Sequence, residues 1–151
     1  MKYDNYDSVH IADDLSVFEF ISSGPFGEIL KRIIFVRTDW AGVYNLALGN
    51  VGKNGEMEDT VISDNGDRNK ILATIVKAID LYTRRYPRRW VYFIGNTKGK
   101  TRLYRMAVGL NLEELSLNFE IYARAEGAEE FVLFRKNMEI NDFLVRRKIV
   151  I

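Results

Sequence analysis

The chain has 151 residues, 47% apolar and 28% charged, with nine Phe, eight Tyr, two Trp, no Cys and a formal charge of +1. This composition fits one domain with a packed core and excludes disorder, a disulfide scaffold, a thiolate zinc site and a cysteine nucleophile. No apolar run approaches the roughly 20 residues of a membrane helix, and the acidic opening MKYDNYDSVHIADD is no signal peptide, so a soluble cytoplasmic protein is expected.

Residues 1–14 read as a polar N-terminal leader to a single domain, 1–151. Within Val17–Ser22, Phe18 and Phe20 share one face and Glu19 takes the other, which is the period of a strand. Gly24, Pro25 and Gly27 supply turn chemistry. Ser22-Ser23-Gly24 therefore reads as a turn rather than a nucleophile site. Leu30–Val36 is a second strand, basic at its start (Lys31, Arg32). Beyond a turn at Asp39–Gly42, Val43–Leu48 sets Tyr44, Leu46 and Leu48 on one face. Gly49, Gly52 and Gly55 mark a loop, and Asp59–Ser63 reads as a short fourth strand. Connections this short predict an antiparallel meander.

The period then changes. Asp64-Asn65-Gly66-Asp67 is a turn, with Asp67 expected as a helix N-cap. Ile71, Leu72, Ile75, Ile79 and Tyr82 recur at helical spacing. Arg84 and Arg85 suit the last turn, where the dipole favours cations, and Pro87 stops the helix. Trp90–Ile94 is a fifth strand. A second helix is predicted from about Thr101 to Asn111, with Leu103, Met106, Ala107 and Leu110 inward. Asn111 is a candidate cap for a short turn, Leu112–Leu117. Phe119–Arg124 and Phe131–Arg135 form a strand pair around Gly127, and Phe143–Ile151 is a candidate for one more strand. The order is four strands, helix, strand, helix, two or three strands. It specifies α+β: a mostly antiparallel sheet with helices packed on one face.

Four segments carry a family resemblance: FxFxSxGPxG at Phe18–Gly27, YNLALG at Tyr44–Gly49, DNGDRNKILAT at Asp64–Thr74 and GNTKGKTRLYR at Gly95–Arg105. Together they resemble a family of small uncharacterised bacterial proteins, over nearly the whole chain. That resemblance implies no substrate and no catalytic residue. Four strands followed by a helix is also similar in architecture to the unit of the Pur-alpha and Whirly single-stranded nucleic-acid-binding proteins, which alone transfers no function.

Charge is segregated. Leu81–Leu112 holds eight of the 22 Lys and Arg and no acid, leaving −7 on the remainder. Its cations Arg88, Arg89, Lys98, Lys100, Arg102 and Arg105 are interleaved with Tyr86, Trp90, Tyr92 and Tyr104. Single-stranded nucleic-acid sites combine cations for phosphates with aromatic faces for bases. Tyr104 and Trp90 are the stacking candidates. The structural alternative has the charges solvated or ion-paired and the aromatics in the core. Trp90 and Tyr92 alternate with Val91 and Phe93, so one of these pairs must face the core.

Other constellations are weaker. Arg102 and Arg105 stand three apart and could fork onto Asp64 or Asp67. The carboxylates Glu56, Glu58, Asp59, Asp64 and Asp67 lack EF-hand spacing. Gly95-x-x-x-Gly99-Lys100-Thr101 is one residue short of a phosphate loop. His10, the single histidine, has no catalytic partner in view. No catalytic residue, metal or cofactor is assigned. The leading expectation is a binding module whose basic face meets an anionic partner, with single-stranded nucleic acid foremost. The alternatives are a protein-interaction module of a small bacterial two-component pair and a metal-dependent enzyme using the Glu56–Asp67 carboxylates.

Overall fold

Alternating burial organises the strands. A computed structural model describes residues 4–58, 65–95 and 98–149, apart from the side chains of Lys98, Lys100, Leu103 and Ala107. The elements in chain order are β1 (His10–Ile11), β2 (Val17–Gly24), β3 (Gly27–Arg37), β4 (Val43–Val51), β5 (Met57–Glu58), α1 (Arg68–Arg85), β6 (Trp90–Phe93), α2 (Lys98–Leu110), α3 (Leu112–Leu115), β7 (Phe119–Arg124), β8 (Val132–Leu133) and β9 (Asp142–Arg147). They form one sheet in the order β1-β2-β3-β4-β6-β9-β7-β8, with β5 on β4. The α+β reading holds. The expected strand Asp59–Ser63 lies outside the described residues.

Every pairing is antiparallel except β4 with β6, where Val43 sits opposite Trp90. The α1 helix makes that crossover, as parallel pairing requires a long connection. The C-terminal strand is no appendage. β9 lies between β6 and β7, with Phe143 opposite both Phe93 and Ala123. Phe143 and Ala123 are fully buried there.

The helices share one face of the sheet. Phe18, Phe20, Ile33, Phe35, Leu46, Val91, Phe93, Ile121 and Val145 point toward them and form the core with Ile75, Ala78, Ile79 and Tyr82 of α1. Of the stripe predicted for α1, Ile75, Ile79 and Tyr82 are buried, and Ile71 and Leu72 are partly buried against the core. Tyr82 stacks flat on Phe35, centroids 3.9 Å apart, and the pair is sealed by β4, whose Tyr44 meets Tyr82 edge-on at 6.2 Å. The second helix differs from expectation. Met106 and Leu110 are exposed. Tyr104 and Val108 pack on the core instead, because Phe93 offers its edge to the Tyr104 ring at 6.0 Å.

The start of α1 is fastened to the β2–β3 hairpin. Asn65 is 1% exposed. Its Nδ2 donates to the Gly27 carbonyl (2.9 Å) and to Ser22 Oγ (3.3 Å), and its Oδ1 accepts from the Phe26 amide (2.8 Å). Asp67 occupies the N-cap position but makes no side-chain cap. Its Oδ2 accepts from Ser22 Oγ and from the Tyr6 hydroxyl, each at 2.5 Å. Tyr6 stacks on Phe20, and its amide donates to Thr74 Oγ1 of α1. The N-terminal stretch thus contributes an anchor to the fold.

Gly24 makes this contact possible. An added Cβ there would lie 1.7 Å from the Asn65 carbonyl oxygen, a backbone atom with little room to yield. Gly24→Ala should therefore cost about 3 kcal/mol or more by forced displacement. Ile75→Ala should cost about 2–5 kcal/mol through lost burial and a cavity. Urea denaturation checks both; losses under about 0.5 kcal/mol, the range of neutral surface changes, would remove these contacts from the core account.

Candidate functional site

Strand direction divides the basic segment. Val91 and Phe93 face the helices, so Trp90 and Tyr92 emerge on the opposite, open face of the sheet. The segment's cations also part company. Arg88 and Arg89 precede β6, whereas Lys98 and Lys100 open the helix that follows it. A four-residue strand separates the two groups by roughly 13 Å.

Each candidate has a distinct setting. Arg88 is exposed in the connection from α1 to β6. Arg89 is half-buried: Nη1 donates to the Tyr82 hydroxyl (2.8 Å), and the guanidinium lies 3.7 Å from the Tyr86 ring centre and 4.1 Å from that of Tyr44. These contacts give it a structural role between α1 and β4. Arg102 is exposed on α2 and Arg105 half-exposed. Tyr104 is turned into the core, and burial pushes its hydroxyl up to about 12. The side chains of Lys98 and Lys100 lie outside the described residues, as do Asp59, Asp64, Asn96 and Thr97.

The expected Arg–carboxylate cluster does not form with Asp67, whose Oδ2 serves Tyr6 and Ser22. Among the described residues, neither Arg102 nor Arg105 enters an ion pair with a carboxylate. The described residues also hold no group of three or more acidic or histidine side chains placed to bind a metal. His10 is exposed on β1.

The open face carries its own ionic clusters, which sequence reasoning missed. Asp142 is completely buried. Its carboxylate takes a two-pronged contact from Arg124 (3.1 and 2.5 Å) and a hydrogen bond from the Tyr92 hydroxyl (2.7 Å). Burial, reinforced by that bond, pushes Tyr92 up to about 12. The Asp142 carboxylate raises Arg124. Arg124 also covers the Phe131 ring at 4.5 Å, and Phe131 meets Tyr92 edge-on and lies against Trp40. Beside this cluster, Arg146 pairs with Glu120 and covers Trp90 at 4.4 Å. Farther along, Arg32 pairs with Glu19 at 2.8 Å. The cations of these three pairs are each matched by a carboxylate. Asp142, standing directly before the apolar run Phe143-Leu144-Val145, was the available signal.

The helix layer is different. Its helices α1, α2 and α3 together contain nine Lys and Arg and three acids, Asp80, Glu113 and Glu114, a net +6 that leaves −5 on the rest of the chain. Asp80 is bound by Arg84 and Arg147. Arg68, Lys70, Lys77, Arg84, Arg85 and Arg102 are all exposed. The cations divide by layer, not by stretch of sequence.

A family model described as a family of unknown function, DUF6934, matches residues 2–148, and the chain belongs to that family. No curated protein and no solved structure matches it. The expected likeness to Pur-alpha and Whirly units finds no support in these comparisons. Two of the segments that carry the resemblance meet in space: Ser22, Gly24 and Gly27 of the first contact Asn65 and Asp67 of the third.

The raised tyrosines set a pH dependence. Tyr92 and Tyr104 hold their protons to about 12 in the folded chain and to the usual 10.0 when unfolded. The folded state then binds more protons between those values, so stability is fully present below pH 10 and falls as pH rises toward 12. Ultraviolet titration should show these two ionising last, together with unfolding. Tyr92→Phe should weaken the alkaline loss; an unchanged profile would remove Tyr92 from it.

Proposed function

We propose that the chain is a binding module that holds a nucleic-acid phosphate backbone on its helix layer, by charge and without stacking bases. The observation that carries this reading is the layered charge: +6 on the three helices against −5 elsewhere. A surface with a net positive charge attracts a polyanion and raises its association rate. The 18 residues of α1 extend about 27 Å, enough to follow several phosphates.

The aromatic half of the original constellation supports no stacking role. Tyr104 is packed against Phe93 on the core side. Trp90 is on the other face, under the Arg146 guanidinium. Cations that contact phosphates position a nucleic acid without reading its sequence. The reading therefore specifies binding that depends strongly on salt and weakly on sequence.

Titration of a labelled oligonucleotide at several salt concentrations tests this. Three to four phosphate contacts give a slope of log affinity against log salt of about −2 to −3, from roughly −0.7 per contact on single strands. Lys77→Gln combined with Arg102→Gln should flatten that slope by about 1.4. Absence of binding at about 50 mM salt and ~100 μM protein would overturn the reading, since non-specific dissociation constants run from about 10⁻⁴ to 10⁻⁶ M.

A further inference from the structure

Three segments of the chain enclose a cleft of about 470 Å³, within the roughly 300–1,000 Å³ range of small-molecule sites. Helix α1 lines it with Ala73, Val76, Lys77, Asp80 and Arg84, which share one face at helical spacing. Glu114 and Leu115 of α3 and the following Asn118 and Phe119 supply a second side. Asp4 supplies a third. Its stretch of chain is tied to α1 by the Tyr6 amide, which donates to Thr74 Oγ1 at 2.9 Å. Ala73, Leu115 and Phe119 are buried and make the floor of the cleft apolar. We propose that this cleft binds a small zwitterion with an apolar side chain, a free amino acid or a dipeptide.

The charges of the lining select that ligand. Among the described residues, neither Asp4 nor Lys77 enters an ion pair. The cleft therefore offers one carboxylate and one ammonium that the protein itself does not match. Asp80 is held by Arg84 and Arg147, a trio that keeps one net positive charge. Glu114 adds a negative one, so the lining and Arg147 are neutral together. A phosphate would meet Asp4 and Glu114 here, and a polyamine would meet Lys77 and Arg84. Such like-charge contacts reject the wrong partner. A zwitterion answers both signs: its ammonium suits the carboxylates, and its carboxylate suits Lys77 and Arg84. The buried floor takes the apolar side chain out of water. The cleft differs in this from the basic surface assigned to a phosphate backbone, and the inference goes beyond that reading.

Isothermal titration of the full chain with L-phenylalanine and with L-leucyl-L-leucine tests the inference. Saturable binding of at least one is expected, with a dissociation constant of about 1 mM or below for ligands of this size. Forms of the bound probe that lack the ammonium (N-acetylated) or the carboxylate (amidated) should each bind about tenfold more weakly or worse, because a charged group of the cleft is then left unmatched. Asn118→Trp, at an exposed position of the lining, should fill the cleft and abolish binding while circular dichroism stays unchanged. If that variant fails to fold, Glu114→Gln decides, with a loss of about tenfold expected. Lys77 also belongs to the surface assigned to phosphate contact and is not the deciding position. The inference is overturned by no saturable binding of either probe up to about 20 mM, by blocked forms that bind as tightly, or by binding indifferent to the cleft variants. Oligonucleotide titration of Asn118→Trp should match that of the parent chain, so either reading can fail without altering the test of the other.

Discussion

Two side chains in the loop before α1 hold the helix layer to the sheet. Asn65 replaces the missing hydrogen-bond partners of the Pro25-Phe26 turn, and Asp67 ties Ser22 and Tyr6 together. Buried backbone groups that lack partners cost more than most single contacts contribute. The clasp satisfies them with one side chain and fixes where α1 begins. It also dictates Gly24, the point where the hairpin backbone meets the Asn65 carbonyl. From that anchor α1 runs across the sheet, stacking Tyr82 on Phe35, and the placement of its cations follows.

The two faces of the sheet then acquire different chemistry. On the open face Asp142 is fully buried, and an unpaired carboxylate there would be prohibitive. Arg124 and Tyr92 are accordingly committed to it. Arg146 and Arg32 are held in the same way by Glu120 and Glu19. The helix layer has three acids, Asp80, Glu113 and Glu114, of which Asp80 is already shared by two arginines. Arg68, Lys70, Lys77, Arg85 and Arg102 are exposed there.

Much of this was legible in the sequence. The Ile71–Tyr82 stripe and the alternation at Phe18–Phe20 and Tyr44–Leu48 gave the strands, the helix and their inward faces, since burial follows period. Asp67 was legible as an N-cap position but not as a hydrogen-bond partner of Tyr6, 61 residues away. Met106 and Leu110 of α2 were misjudged as inward because apolar residues occur on both sides of that helix, and Tyr104 packs against Phe93 instead. Arg124 and Asp142 stand 18 residues apart, and only strand register brings them together. The basic segment read as one patch because proximity in sequence was taken for proximity in space. Strand β6 separates its ends, and its pleat sends Trp90 away from the cations.

The central claim is that cations contact phosphates while the aromatics stay out of reach. Comparing a base-containing single strand with an abasic sugar–phosphate strand of equal length tests it most directly. Stacking is worth about 1–3 kcal/mol per base, so even one stacked base makes roughly a fivefold to hundredfold difference in affinity. The account predicts equal salt slopes and affinities within about threefold. A loss of tenfold or more on removing the bases would contradict it, because a side chain would then have to stack on them.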